Sequence, residues 1–322
     1  MRSLLAWFDN RYAPPTDTEP SGPSGPRARG VDWLRVLPFI GLHLGCLATF
    51  WTGVSTTALA VALALYALRM FAITGFYHRY FSHKAFRASR AMQLIFALLG
   101  ASAVQRGPLW WASHHRHHHA HADRETDAHS PHQHGLLWSH MGWFLARENF
   151  ATRAAQVPDL ARYPELRFLD RFDVLVPLLL ALGLYGAGEW LALAWPALGT
   201  DGPMLLVWGF CISTVALYHA TFLVNSLAHQ VGSRRYAVRD TSRNNLWLAL
   251  LTFGEGWHNN HHRYPGSARQ GFYWWEIDLT YYGLRALAAL GLIRDLRPVP
   301  EAIRAGGRTA RPDHEDPSDG KA

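Results

Sequence analysis

The sequence predicts an all-α integral membrane protein: four transmembrane helices in two hairpins, with a helical cap gathered at one membrane face. Three observations predict it. Hydrophobic residues make up 49% of the 322 and charged residues only 17%, where soluble domains carry roughly 25% charged. Four long apolar stretches come in two pairs, and the short turn within each pair holds no lysine or arginine. The polar remainder carries nearly all of the 31 basic residues and most of the 19 histidines. A mean hydropathy of -0.07 is the balance of these two parts.

Residues 1–30 contain Pro14, Pro15, Pro20, Pro23 and Pro26 among Ser, Gly and Thr. That is the composition of a disordered arm. The apolar "LLAWF" within it is too short for a signal segment, and no cleavage pattern follows. The membrane domain is expected over 31–298 and a disordered tail over 299–322. The first hairpin is Val36–Trp51 and Thr56–Gly75, joined by "TGVST". Its first member reaches Trp33 if Arg35 snorkels to the interface. The second hairpin is Val174–Leu198 and Met204–Val224, joined by "GTDGP". Pro177, Glu189 and Pro196 blur the ends of its first member. Each stretch approaches the roughly 20 residues that a span needs. Leu246–Phe253 is too short to cross. Ala91–Val104 and Leu136–Phe150 are short and amphipathic, and read as interfacial or cytoplasmic helices.

Positive charge orients the chain. Of the Lys and Arg, five precede the first span, 12 lie between His78 and Arg171, and 13 follow Asn225. The positive-inside rule then puts both termini and the long middle segment in the cytoplasm. The pI near 9.6 suits anionic lipid. The arginines are scattered, and no helix-turn-helix or RNA-binding motif accompanies them, which argues against nucleic acid. The two cysteines, Cys46 and Cys211, lie in apolar runs. They exclude a disulfide framework and a zinc–thiolate site, and read as small buried hydrophobes.

The histidines form four clusters. "HRYFSH" at the end of the second span gives His78 and His83. "HRHHH" in the middle segment gives His115, His118 and His119. "NSLAH" at the end of the fourth span gives Asn225 and His229. "HNNHH" gives His258, His261 and His262. Residues i, i+3 and i+4 share a helix face. Each triple is therefore expected to aim its imidazoles at one place, and Asn225 to stack with His229. His78 and His83 stand about 140° apart on an ideal helix, so a helix end or loop is expected between them. All four clusters sit at the positively charged face and can meet there in one layer. Nine imidazoles are too many for one metal and suit two; Fe, Zn, Cu and Ni all accept imidazole. The carboxylate di-iron bundle wants two Glu-x-x-His pairs, and only Glu255 with His258 has that spacing. There is no His-Glu-x-x-His zinc motif.

The order HRYFSH, HRHHH, NSLAH, HNNHH resembles the membrane fatty acid desaturases, in their acyl-CoA Δ9 (stearoyl-CoA type) branch. "DAHSPHQHGLLWSHMGW", "NSLAHQVGSRRY" and "GEGWHNNHH" carry the likeness further, over about residues 31–290. The resemblance implies a cap that holds two iron ions on His78, His83, His115, His118, His119, His229, His258, His261 and His262, with Asn225 acting through a water. It implies O2 as co-substrate and a cis double bond placed in a long saturated acyl chain, carried by CoA or another acyl lipid. A bent substrate tunnel at Gln105, Trp111 and Thr221 goes with it. Each of the last two precedes a metal-site residue by one helical turn. Glu255, Asp127 and His129 are candidates to orient the ligands, with Asp123 and His140 behind them. No flavin, haem or GxGxxG segment is present, so the resemblance calls for an external ferredoxin, rubredoxin, cytochrome b5-type or flavoprotein donor.

Two positions depart from the CoA-binding animal enzymes. Ser113 stands where a basic residue precedes the second box, and Arg147-Glu148 replaces a basic pair. Outside the nine, His43 and His219 are expected to hydrogen-bond neighbouring helices. His114, His117, His121, His132 and His134 are expected to be solvated. The rival readings are a hydroxylase, ketolase or alkane monooxygenase with similar boxes, and a metal transporter or buffer. Asn225-x3-His229 argues against the first. A transporter wants ionisable groups within its spans, where this chain holds few.

Overall fold

The structure, a computed structural model, describes residues 5, 7–12 and 30–309. It is mostly helical, and among the described residues four helical segments are long and apolar enough to cross a membrane: Trp33–Thr52, Thr56–Ser82, Leu175–Ala194 and Gly202–His229. The first contains α1 (Trp33–Cys46), begun by Asp32, whose carboxylate accepts the Arg35 N–H. The second begins with α2 (Thr56–Phe71), capped by Ser55. The short helix at Gly202–Leu205 opens the fourth span, capped by Asp201, and α7 (Ser213–Ser226) is its main body. Polar side chains that accept orphan N–H groups mark these starts. The Ser55 and Thr200 hydroxyls bond to each other, tying the two hairpin turns together. Glu189 in the third span turns to accept the Gly202 N–H, so this charge within an apolar stretch serves as a cap.

The second span runs past its expected end at Gly75. From Ala72 to Ser82 it is wound as a π-helix, with the His83 N–H bonded to the His78 carbonyl. Winding in i→i+5 steps stacks residues five apart. The His78 and His83 rings are 4.8 Å apart, and the expected helix end falls between them, at Ser82, with His83 as its cap. Gly100 of α3 (Arg90–Ala101) makes the crossing feasible, because a Cβ there would meet the Tyr77 ring at 1.9 Å.

The cap is built on α4 (Pro108–His121), α5 (Pro164–Arg171) and α8 (His258–Arg263), α6 being the third span (Leu175–Ala194). Leu136–Phe150 is not one helix. It breaks into Trp138–Gly142, Trp143–Leu145 and Arg147–Asn149, which turn in different ways. A two-stranded antiparallel ribbon pairs Arg87 with Arg294 and Ala88 with Ile293. After α9 (Leu279–Ala289) the chain forms α10 (Glu301–Thr309). Ile303 packs on the Tyr236–Phe272–Tyr273 cluster, and the Tyr273 hydroxyl donates to the Arg304 carbonyl. Within the N-terminal arm, Asn10–Tyr12 form a helical turn. Asn10 there contacts Arg35, Arg106 and Asp173. Residues 1–4, 6, 13–29 and 310–322 lie outside the described residues.

Candidate metal centre

The nine histidines converge as two groups. His78, His83, His115, His119 and His261 make one; His118, His229, His258 and His262 make the other. Each triple is therefore split rather than aimed at one place. The i, i+4 pairs His115/His119 and His258/His262 stay together, while His118 and His261 turn to the opposite group. Neighbouring residues differ by about 100° around a helix, which is enough to send His118 and His119 to different centres. Ring nitrogens face each other within each group. Nε2 of His78 lies 3.1 Å from that of His261, and Nε2 of His83 lies 2.7 Å from that of His115. Nε2 of His261 is 2.9 Å from that of His119, and Nε2 of His258 is 3.1 Å from that of His229.

Four imidazoles are oriented from behind by carboxylates. Nδ1 of His78 is 2.5 Å from Glu255, and Nδ1 of His118 is 3.0 Å from Asp127. Nδ1 of His229 is 3.3 Å from Asp123, and Nδ1 of His262 is 2.8 Å from Asp240. A carboxylate that holds the proton on Nδ1 leaves the Nε2 lone pair turned inward, as metal-ligating histidines require. Glu255, Asp127 and Asp123 are thus where the sequence suggests. Asp240 was not singled out; it lies 22 residues before His262 and in no box. Arg79 braces Glu255 at 3.1 Å and Asp278 at 3.0 Å, and Gln270 donates to Glu255 at 2.9 Å. His129 does not hydrogen-bond a ligand candidate. Its ring packs, tilted, against His118 at 4.3 Å and Trp143 at 4.9 Å.

Burial pushes the imidazoles of His83, His115, His119, His258, His261 and His262 well below the usual histidine range, and neighbouring histidines add to it. They are neutral and able to donate lone pairs. Burial acts the same way on His118, but Asp127 outweighs it and raises that group. Burial would raise the Asp123 and Asp127 carboxyls; His229 and His118 outweigh it and hold both well below the carboxylate range.

A cavity of about 310 Å³ reaches this centre. Gln105, Trp111, Thr221, Asn225 and His115 all line it. Gln105 donates to the Thr221 hydroxyl at 2.9 Å, and the Trp111 ring stacks on His115 at 5.0 Å. The sequence-predicted bend residues are thus in mutual contact. The other histidines divide. His43 and His219 bond each other at 3.2 Å, as expected of span histidines, and His140 joins them at 3.0 Å from His219. His140 bonds Ser226 rather than a ligand candidate. His114 is buried between Trp110 and Trp143, not solvated, with Nε2 3.2 Å from the Ala151 carbonyl.

Comparison with known proteins agrees with this geometry. The family model for Fatty acid desaturase matches residues 55–294. The sn-1 stearoyl-lipid 9-desaturase of Anabaena variabilis is 37% identical over 273 residues, covering 83% of this chain and 94% of that protein. A chloroplastic palmitoyl-monogalactosyldiacylglycerol delta-7 desaturase of Arabidopsis thaliana is 39% identical over 282 residues, 85% of this chain and 71% of its own length. An acyl-CoA 5-desaturase of Anemone leveillei is 37% identical over 277 residues, 85% and 81% of the two chains. With its histidines paired off beside an apolar cavity, and with these relatives along most of its length, the chain belongs to the fatty acid desaturase family.

Proposed function

We propose that this protein is an O2-dependent desaturase that places a cis double bond, at Δ9, in long saturated acyl chains, using two histidine-held iron ions. The observation that carries the reading is the meeting of two buried imidazole groups with one apolar cavity. The donor set fits the metal. Inward-facing lone pairs repel without a cation between them, and the buried Nε2 of His262 has no hydrogen-bond partner. His78, His83, His115, His119 and His261 would hold one ion. His118, His229, His258 and His262 would hold the other, with Asn225 acting through a water. The metal supplies O2 activation when bound, and imidazole-rich sites of this kind keep positions open for it.

The protein's own residues do the rest. The Gln105–Thr221 bond and the Trp111 ring bend the chain and hold a methylene pair beside His115 and Asn225. Trp110, Trp143 and Phe222 line the cavity and exclude water. The reaction takes O2, two electrons and two protons and returns the alkene and two waters. The electrons come from an external ferredoxin, rubredoxin, cytochrome b5-type or flavoprotein partner, whose acidic face the basic cap suits. The charge distribution supports a cytoplasmic cap with both termini on the same side. Asn225-x3-His229 and the stearoyl-lipid 9-desaturase relative support Δ9.

Gas chromatography of fatty acids from a host without its own desaturase tests the reading. With a reductase supplied, the wild type is expected to yield cis-Δ9 C16:1 and C18:1, and the His261→Ala variant none. Membrane-inserted wild type with no unsaturated product would sink it.

A further inference from the structure

The cavity that reaches His115 and Asn225 is also lined by Arg35, Arg106 and Asp173. Arg106 is ion-paired. Its Nε donates to Asp173 at 2.7 Å, and its Nη2 donates to the Phe150 carbonyl at 2.9 Å and to Asn10 Oδ1 at 3.1 Å. Arg35 is not. Its Nη2 shares Asn10 Oδ1 at 3.1 Å, and its guanidinium lies 4.3 Å over the Phe150 ring. Its Nη1 is buried with no hydrogen-bond partner. Among the described residues, no carboxylate forms an ion pair with Arg35. A buried charged donor left unmade is costly, so this N–H points to a ligand. Once Arg106 is paired with Asp173, the lining keeps one positive charge.

We propose that Arg35 Nη1 binds the phosphodiester of a membrane phosphoglycerolipid whose acyl chain fills the cavity. The acyl donor is then a bilayer lipid rather than a CoA thioester, an inference that rests on the desaturase reading for its chemistry. Two observations select the lipid. A phosphodiester carries one negative charge and matches the single unpaired cation, whereas the phosphates of CoA carry several. Ser113, where a cation would help such a ligand, is buried with its hydroxyl donated to the Trp110 carbonyl. The second observation is position. Arg35 stands in the first turn of the first span, among the exposed Trp33, Leu34, Leu37 and Pro38. That places its guanidinium at headgroup level, with apolar neighbours facing lipid.

Native mass spectrometry of the solubilised full chain, titrated with distearoyl phosphatidylglycerol, reads binding without catalysis. Arg35→Leu should weaken binding about tenfold or more, and Arg35→Lys should keep most of it. Distearoylglycerol, which lacks the phosphate, should bind wild type and Arg35→Leu alike. In a reductase-coupled assay offering vesicles of that phospholipid or stearoyl-CoA, the product should appear esterified to glycerolipid. Arg35→Leu should raise KM about tenfold with kcat little changed. Should Arg35→Leu unfold, Arg35→Gln, which keeps an N–H donor without the charge, gives an intermediate affinity. Unchanged phosphatidylglycerol affinity in these variants, or product found only as a CoA thioester, would overturn the proposal. Arg35-dependent lipid binding with no product from either substrate would instead overturn the desaturase reading and leave the lipid site in place.

Discussion

Single carboxylates decide how the imidazoles present themselves. Asp240 holds Nδ1 of His262 at 2.8 Å. Its removal frees the ring to turn and the tautomer to switch. Asp240→Ala should cut metal affinity about 10–100-fold, read by metal content per chain after dialysis against a buffered chelator. Asp170 acts differently. It is buried and accepts the Trp110 N–H and the Thr152 hydroxyl, both at 2.7 Å. Burial raises its pKa from 3.8 to about 6. The folded protein thus holds this proton more tightly than the unfolded chain. The stabilisation is fully present below pH 3.8 and is lost as pH rises through about 6. It amounts to something on the order of 3 kcal/mol by linkage. The melting temperature of the wild type should fall across that window relative to Asp170→Asn, whose amide oxygen can still accept the Trp110 N–H while its NH2 donates to the Thr152 hydroxyl. Glu255 was legible because it borders a histidine box. Asp240 and Asp170 were not, since their partners lie 22 and 60 residues away and only the fold brings them close.

Helices set where those residues point. The spans were readable because apolar length and charge gaps are properties of contiguous sequence. Glu189, which blurred the end of the third span, turned out to cap the next helix. The π-wound stretch Ala72–Ser82 was not readable. Nothing in its composition distinguishes it from α-helix, and its winding is settled by packing against Gly100 and by the convergence of His78 and His83. Gly100→Ala would drive a methyl into the Tyr77 ring. Overpacking of this kind costs about 1–3 kcal/mol. Thermal melting of Gly100→Ala should show it, while Gly183→Ala, where a Cβ meets nothing within 4 Å, should melt like wild type. The split of each histidine triple was likewise hidden. Spacing tells which residues share a face, but two facing targets divide that face in a way that only the assembled helices define.

The whole molecule joins four apolar helices to one polar layer. Under the proposed orientation, a cysteine at Val54 in the first hairpin turn and one at Arg124 in the cap lie on opposite sides of the membrane. In a Cys46→Ala/Cys211→Ala background, an impermeant thiol reagent added outside whole cells should label Val54→Cys at once. It should label Arg124→Cys only after the membrane is opened. Labelling of both from outside would reject the orientation.

The histidine layer is also cross-braced. α4 gives two imidazoles to one group and one to the other, and α8 does the reverse. In the proposed two-ion centre, the first ion to arrive would therefore fix both helices, and with them three of the four histidines that the second ion needs if the first enters the five-histidine group. Ordering already achieved by one ligand need not be repeated for the next, so the proposed centre is expected to take up its pair of ions with positive, reciprocal cooperativity. At half the metal needed for saturation, the population should divide into chains with none and chains with two. Singly loaded protein should be scarce, so that partial iron supply lowers the number of complete enzymes rather than leaving half-built ones.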